Sequence, residues 1–167
     1  MTLKYTVIHY TQPTDSTKYF VLKLDSTKMY YITSQHNMIT FQTQSFRGPI
    51  IASFSLNDNV WDVHEYKTLN RYFIKESFTK TKFSTNKTVF AWHSIPTKQF
   101  FMGCLKYPEK NCEAYLDLEI VQNEVCKVYV LDNVVELDQI LMSGIVLGIS
   151  NYLKSLVINK RQLFCSF

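Results

Sequence analysis

The sequence predicts a mainly β fold: about twelve antiparallel strands closed into a barrel around one central, hydrophobic C-terminal α-helix. Two observations carry that prediction. Up to about Val130 the chain is a succession of short segments, rich in β-branched and aromatic residues, with turn residues between them. Over residues 134–158 the pattern changes to one strongly apolar helical stretch. A helix too apolar for a protein surface has to be covered, and the strands before it are the available cover. The 167 residues contain no repeat, linker or low-complexity tract, so 1–167 reads as a single domain.

The strand-like segments follow one another closely. Residues 3–9 (LKYTVIH) come first, and a loop containing Pro13 and Asp15 follows. Residues 18–24 and 28–33 flank a turn at Asp25-Ser26, and 38–44 follow a turn at His36-Asn37. Gly48-Pro49 introduces 50–56, and Asn57-Asp58-Asn59 leads into 60–66. The shorter runs 72–76 and 79–83 come next, then 88–94 and 99–106, each ended by a nearby proline. Residues 113–120 and 125–131 close the series. In 113–120 the alternation is clean, with Ala114, Leu116, Leu118 and Ile120 on one face and Glu113, Tyr115, Asp117 and Glu119 on the other. With only four glycines and four prolines in the chain, Asn, Asp, Ser, Thr and Lys must form most of the turns.

The helix has a start signal. Asn133 can cap it, with Glu136 at the reciprocal position and Asp138 in the first turns. From Gln139 to Leu153 no residue is charged, and Ile140, Leu141, Ile145, Val146 and Ile149 form the core of an apolar surface covering most of the circumference. Fifteen residues span about 22 Å, short of the roughly 30 Å of a bilayer core but matched to strands of 6–8 residues. No membrane crossing is therefore expected. Gly144 and Gly148, four apart, should bring the helix backbone close to the sheet. Beyond Lys154, residues 156–158 read as the start of a final strand.

The chemistry-bearing residues are scattered. The four histidines, His9, His36, His64 and His93, have no metal-ligand spacing. The four cysteines form no C-x-x-C pair, and Cys104 and Cys126 read as small core residues. There is no nucleophile elbow and no glycine-rich phosphate loop. Asp117 and Glu119 share a strand face, where solvated carboxylates are the expected state. A non-enzymatic protein without metal or cofactor follows as the expectation. The N-terminus lacks the apolar core of a signal peptide, so a cytoplasmic location is expected. The net charge of +4 is too small and too diffuse for a nucleic-acid domain. The one basic cluster is Arg71, Lys75, Lys80, Lys82 and Lys87, interleaved with Phe73, Phe78 and Phe83. Lysines attract anionic headgroups and aromatics enter an interface, which makes these five basic residues the candidate lipid-headgroup site. The plain alternative is an edge hairpin kept soluble by its lysines.

Twelve strands followed by an apolar helix resemble the tubby C-terminal-like superfamily, which includes tubby domains, phospholipid scramblases and LURP-one-related proteins. The resemblance lies in residues 89–94 (VFAWHS), in the strand series from 99–106 to 125–131, and in 135–148 (VELDQILMSGIVLG). The last is similar to the acidic-then-apolar opening of that family's central helix. The chain looks most like small single-domain fungal members. The resemblance implies a barrel threaded by its helix, no enzyme chemistry, and binding of anionic phospholipid or phosphoinositide at a membrane surface. The calcium-binding and palmitoylated segments of scramblases have no counterpart here, which puts scrambling itself in doubt. The expected partner is anionic membrane lipid or a protein, with the chain a monomer peripheral to the membrane. The alternatives are a protein-interaction or structural module without lipid, and a carrier barrel for a small apolar ligand. The helical plug opposes the carrier.

Overall fold

The computed structural model describes residues 2–10, 16–77, 82–85, 90–94, 100–105, 112–131 and 137–165. Among them are twelve strands and one helix: β1 (Thr2–Tyr10), β2 (Lys18–Leu24), β3 (Thr27–Gln35), β4 (Met38–Gln42), β5 (Ile50–Asn57), β6 (Val60–Glu65), β7 (Asn70–Ser77), β8 (Lys82–Thr85), β9 (Phe90–Ser94), β10 (Phe100–Leu105), β11 (Cys112–Asp117), β12 (Glu124–Leu131) and α1 (Leu137–Cys165). A mainly antiparallel β fold with one C-terminal helix packed on the sheet is borne out.

Every strand pairs antiparallel with the next in sequence, as in Phe54↔Val63 between β5 and β6 and Val63↔Tyr72 between β6 and β7. β1 pairs with β2 along one edge (Val7↔Leu22) and with β12 along the other (Val7↔Cys126).

Tight turns without glycine require residues that tolerate the left-handed region. Asp25, His36, Asp58 and Asn59 occupy it, with φ of 53°, 54°, 48° and 67°. Asp58 and Asn59 sit side by side in the β5–β6 turn, the arrangement that matches the twist of a two-residue hairpin. Asx residues reach it with less strain than other side chains because their short polar groups bond locally.

The strands alternate. Val7 of β1, Phe20 and Leu22 of β2, Phe41 of β4, Phe54 of β5 and Val63 of β6 are fully buried, and they meet α1 in one core. In β6, Trp61 and Val63 face this core, while Asp62 and His64 face outward. β11 ends at Asp117, earlier than the expected 113–120. Leu118 is still buried at 6% exposure but Ile120 is 40% exposed, since the chain turns into the Val121–Glu124 bridge.

The helix runs to Cys165. Residues 156–158 are helical, within the expected 134–158 stretch, and do not start a final strand. The β-branched Val157 and Ile158 look strand-like alone, but extending an existing helix is far easier than starting a new element. The 29 residues of α1 span about 44 Å, so the length argument against a membrane crossing no longer holds. By length and composition Leu137–Ile158 could cross a membrane, and half of that stretch is buried inside the protein. Ile140, Ile145, Val146 and Ile149 are fully buried and Leu141 is nearly so. Past Ser150 the helix emerges, and Val157 and Ile158 are more than half exposed. The proposed cap, Asn133 and Glu136, lies outside the described residues.

At Gly144 and Gly148 the helix packs closely on the sheet. A Cβ on Gly144 would sit 2.8 Å from Cζ2 of Trp92 in β9. A Cβ on Gly148 would sit 2.9 Å from the Cβ of Cys126 in β12 and collide with its Sγ. Trp92 in turn donates its indole N–H to Ser143 Oγ at 2.9 Å, and that hydroxyl donates to the Ile140 carbonyl at 3.0 Å. A buried polar chain thus runs from β9 into the helix backbone with each of these groups satisfied.

Candidate functional site

The basic cluster begins on the outward face of β7. Tyr72 and Ile74 of that strand are buried, so Arg71, Phe73 and Lys75 project to the other side, and all three are exposed. β6 supplies their outward neighbours, through the pairs Val60↔Lys75, Asp62↔Phe73 and His64↔Arg71. Arg71 is committed locally. Its Nε donates to Asp62 Oδ1 at 3.0 Å and its Nη2 to Oδ2 at 2.7 Å, a bidentate grip, and its guanidinium carbon lies 5.7 Å from the centre of the Phe73 ring. The hydrogen bond from Arg71 holds the Asp62 carboxyl below the usual range, opposed by desolvation and aided by the Arg71 charge. His64 Nε2 lies 3.5 Å from Asp62 Oδ1.

Of the five headgroup candidates, Lys75 is the exposed cation on this face and Arg71 is the paired one. Lys82 opens β8, in register with Ser77 of β7 and His93 of β9, and its side chain is outside the described residues. Lys80 and Lys87, with Phe78, are also outside the described residues. Phe83 is buried at 1% exposure and belongs to the core, which removes it from the interface.

The two ends of α1 carry polar constellations that the sequence does not announce. At the N-terminal end, a cavity of about 480 Å³ opens between α1 and strands β3–β6, lined among others by Tyr30, Ile51, Glu65, Lys67, Asp138 and Met142. The Tyr30 hydroxyl donates to Asp138 Oδ1 at 3.5 Å. Burial first, then the Asp138 charge and hydrogen bond, push the Tyr30 phenol up to about 12. Thr68 Oγ1 donates to Glu65 Oε2 at 2.9 Å. Among the described residues, the lining thus mixes the Glu65 and Asp138 carboxylates with Lys67.

At the other end, Glu76 of β7 accepts the Trp61 indole N–H at 3.0 Å and meets Lys154 of α1 at 3.9 Å. His9 Nδ1 and the Tyr152 hydroxyl are 2.9 Å apart, with the imidazole against the Phe20 ring at 5.2 Å. Burial, and then the Lys18 charge, lower the His9 pKa. Between the emerging helix and the β3–β4 turn lies a second cavity of about 240 Å³, reaching from buried Ser34, Trp61 and Ser150 to exposed Met38 and Val157.

Among the described residues, no group of three His, Cys, Asp or Glu could hold a metal ion. Asp117 Oδ1 accepts the Glu119 backbone N–H at 2.9 Å, so this carboxylate shapes its own turn. Cys126 is fully buried, and burial drives its thiol far above the ordinary range, away from the reactive thiolate. The side chains of Cys104, Cys112 and Cys165 are outside the described residues. No protein-family model, no curated protein and no solved structure matches this chain.

Proposed function

We propose that the chain is a closed, tubby-like barrel plugged by α1, and that it acts without catalysis as a module binding anionic phospholipid at a membrane surface. The closed form is supported by β1, which is paired on both sides, and by the spread of the helix's neighbours. α1 touches β3 through Tyr30–Asp138, β9 through Trp92–Ser143, β1 through His9–Tyr152 and β12 at Gly148. Contacts with strands so far apart in the pairing order support a helix enclosed by the sheet.

The lipid reading rests on one observation: Phe73 and Lys75 stand exposed side by side on β7, in the strand that leads into the remaining lysines of the cluster. A lysine near an anionic surface contributes about 1 kcal/mol, and the aromatic ring suits the interface. Sedimentation with vesicles tests it. Wild-type protein should co-sediment with vesicles containing anionic lipid and not with neutral ones. Lys75→Glu should reduce the bound fraction about fivefold or more, and Lys80→Glu with Lys82→Glu should abolish binding. Sedimentation unchanged by all three reversals would remove the cluster as the site.

A further inference from the structure

Resting on the membrane reading, we infer that the protein meets an anionic membrane with the end of the sheet from which α1 emerges, and that the exposed apolar residues Met38, Val157 and Ile158 enter the lipid at the headgroup–acyl boundary. One end of the molecule collects these groups. The Asn37 carbonyl of the β3–β4 turn accepts the Leu56 N–H at 2.8 Å, and the Asn59 carbonyl of the β5–β6 turn accepts the Glu76 N–H at 2.9 Å. The Glu76 side chain meets Lys154 of α1 at 3.9 Å. The two turns, the end of β7 and the emerging helix therefore share one rim. Lys75, next to Glu76 in the chain, stands exposed on the outside of it, and Lys82 opens β8 in register with Ser77.

The apolar groups on this rim form a patch. Met38 and Val157 border one groove, at 47% and 51% exposure, and partly buried Leu153 lines it too. Ile158, the next residue on the helix, is 55% exposed. Val157 follows Leu153 by one helical turn, so the two share a face. Single exposed apolar side chains are ordinary on a protein, whereas several together mark an interaction surface. Upstream, Ile140, Ile145 and Ile149 are fully buried against the sheet, which leaves the part of α1 beyond Ser150 to make the contact. From Ser150 to Ile158 the axis advances about 12 Å, close to the roughly 5–10 Å by which an interfacial helix enters the headgroup–acyl boundary.

Charge decides which surface covers the patch. From Gln139 to Phe167 the sequence holds no acidic residue, while Lys154, Lys160 and Arg161 all fall in the emerging part of α1. Lys154 is taken by Glu76, and that pair is neutral. The acid left on this side of the rim is exposed Asp58 in the β5–β6 turn, against exposed Lys75, Lys82 on β8, and Lys160 and Arg161 on the helix. A second copy docking by the same rim would meet its own sign, whereas an anionic lipid surface offers the opposite one. The β11–β12 turn lies at the same end, since the His9 N–H donates to the Asn123 carbonyl at 2.8 Å and the His9 ring meets Tyr152. There exposed Val121 is accompanied by the carboxylates of Glu119 and Glu124, which keep that side off an anionic surface.

Ile158→Trp supplies a reporter at the patch. With vesicles of phosphatidylcholine and phosphatidylserine its emission should shift to the blue, and brominated acyl chains should quench it. Tyr66→Trp, at the opposite end of β6 and 51% exposed, should show neither effect. The double variant Val157→Ser, Ile158→Ser should bind these vesicles at least tenfold more weakly. Its melting temperature should stay close to that of the wild type, because both side chains are more than half exposed. Met38→Ser should weaken binding by a smaller factor, and Val121→Ser should leave it unchanged. Emission of bound Ile158→Trp that is neither shifted nor quenched, or wild-type binding by the double serine variant, would overturn this contact and leave the Lys75 reading standing. A wild-type dimer that the double serine variant dissociates, with vesicle binding intact, would assign the patch to a second copy and overturn the lipid contact. Wild-type protein that stays in the supernatant with anionic vesicles would overturn both readings together.

Discussion

Gly148 faces Cys126 so closely that any side chain forces the helix off β12. Gly148→Val should therefore destabilise by about 3 kcal/mol, the upper end for overpacking, as read by chemical denaturation. Ser143→Ala tests the buried polar chain beside it. It removes the acceptor of the Trp92 indole at a fully buried site and should cost about 1–3 kcal/mol, more than an exposed serine would. Among the described residues, His9 carries a shift that bears on stability near neutrality. Its folded pKa lies below the unfolded value because burial and the Lys18 charge disfavour the imidazolium. The unfolded chain thus takes up the proton first as pH falls. The stability from neutral His9 is fully present above about pH 6.5 and is lost on acidification through the lowered folded pKa. Asp62 is also depressed, by Arg71, but its loss begins only below about pH 4. Melting temperature should accordingly fall in two steps on acidification. His9→Phe, which keeps a ring against Phe20 and Tyr152, should flatten the upper step and spare the lower.

At the scale of elements, the exposure gradient along α1 makes a paired prediction. Ile145 is fully buried, so Ile145→Asp places an unpaired charge in the core and should cost more than about 4 kcal/mol or prevent folding. Ile158 is 55% exposed, and Ile158→Asp should change stability by no more than about 0.5 kcal/mol. Near-native denaturation of the Ile145 variant would mean that the helix is not enclosed. The strands were legible because their signal is local. Alternation such as Ala114, Leu116, Leu118 places one face inward whatever the partner, and Asp58-Asn59 marks a hairpin by the φ it tolerates. The helix was legible in the same way over residues 137–158, but its end at Cys165 was not. Lys154 marks the point where α1 leaves the sheet, and a sequence reading takes that loss of cover for a loss of helix. The polar pairs His9–Tyr152 and Tyr30–Asp138 were illegible because they depend on which strand faces which turn of the helix, and Trp61–Glu76 because it lies diagonally across the β6–β7 register. Strand parity indicates that Glu76 and His9 face inward, but only the packing of α1 on the sheet brings Lys154 to Glu76 and Tyr152 to His9. In the basic cluster, the sequence shows Arg71 but not the Asp62 carboxylate that occupies it, since Asp62 joins it across the β6–β7 register.

For the molecule as a whole, the seam between the first and last strands decides whether the sheet is a barrel or an open, curled layer. Thr6 of β1 and Lys127 of β12 are register partners, adjacent to the inward pair Val7 and Cys126 and therefore on the outer face. Direct antiparallel partners lie about 4.5–5.5 Å apart at Cα, within the range a disulfide can bridge. Thr6→Cys with Lys127→Cys should oxidise spontaneously, with the cross-link identified by mass spectrometry as joining the two ends of the sheet. Because the bridge would close a loop of about 120 residues, chain entropy alone predicts a stabilisation of up to about 4–5 kcal/mol over the reduced form, less any native-state strain. Lys127 also gives up its contact with Glu124 at 3.5 Å, a surface pair whose loss matters little beside that gain. A barrel with a fixed seam should gain thermal stability on oxidation and retain vesicle binding, since Lys75 lies on the far side of the pairing order from β1. Two thiols that stay free under mild oxidation would place β1 and β12 apart, leave α1 with an uncovered side, and take the proposed plugged barrel with them.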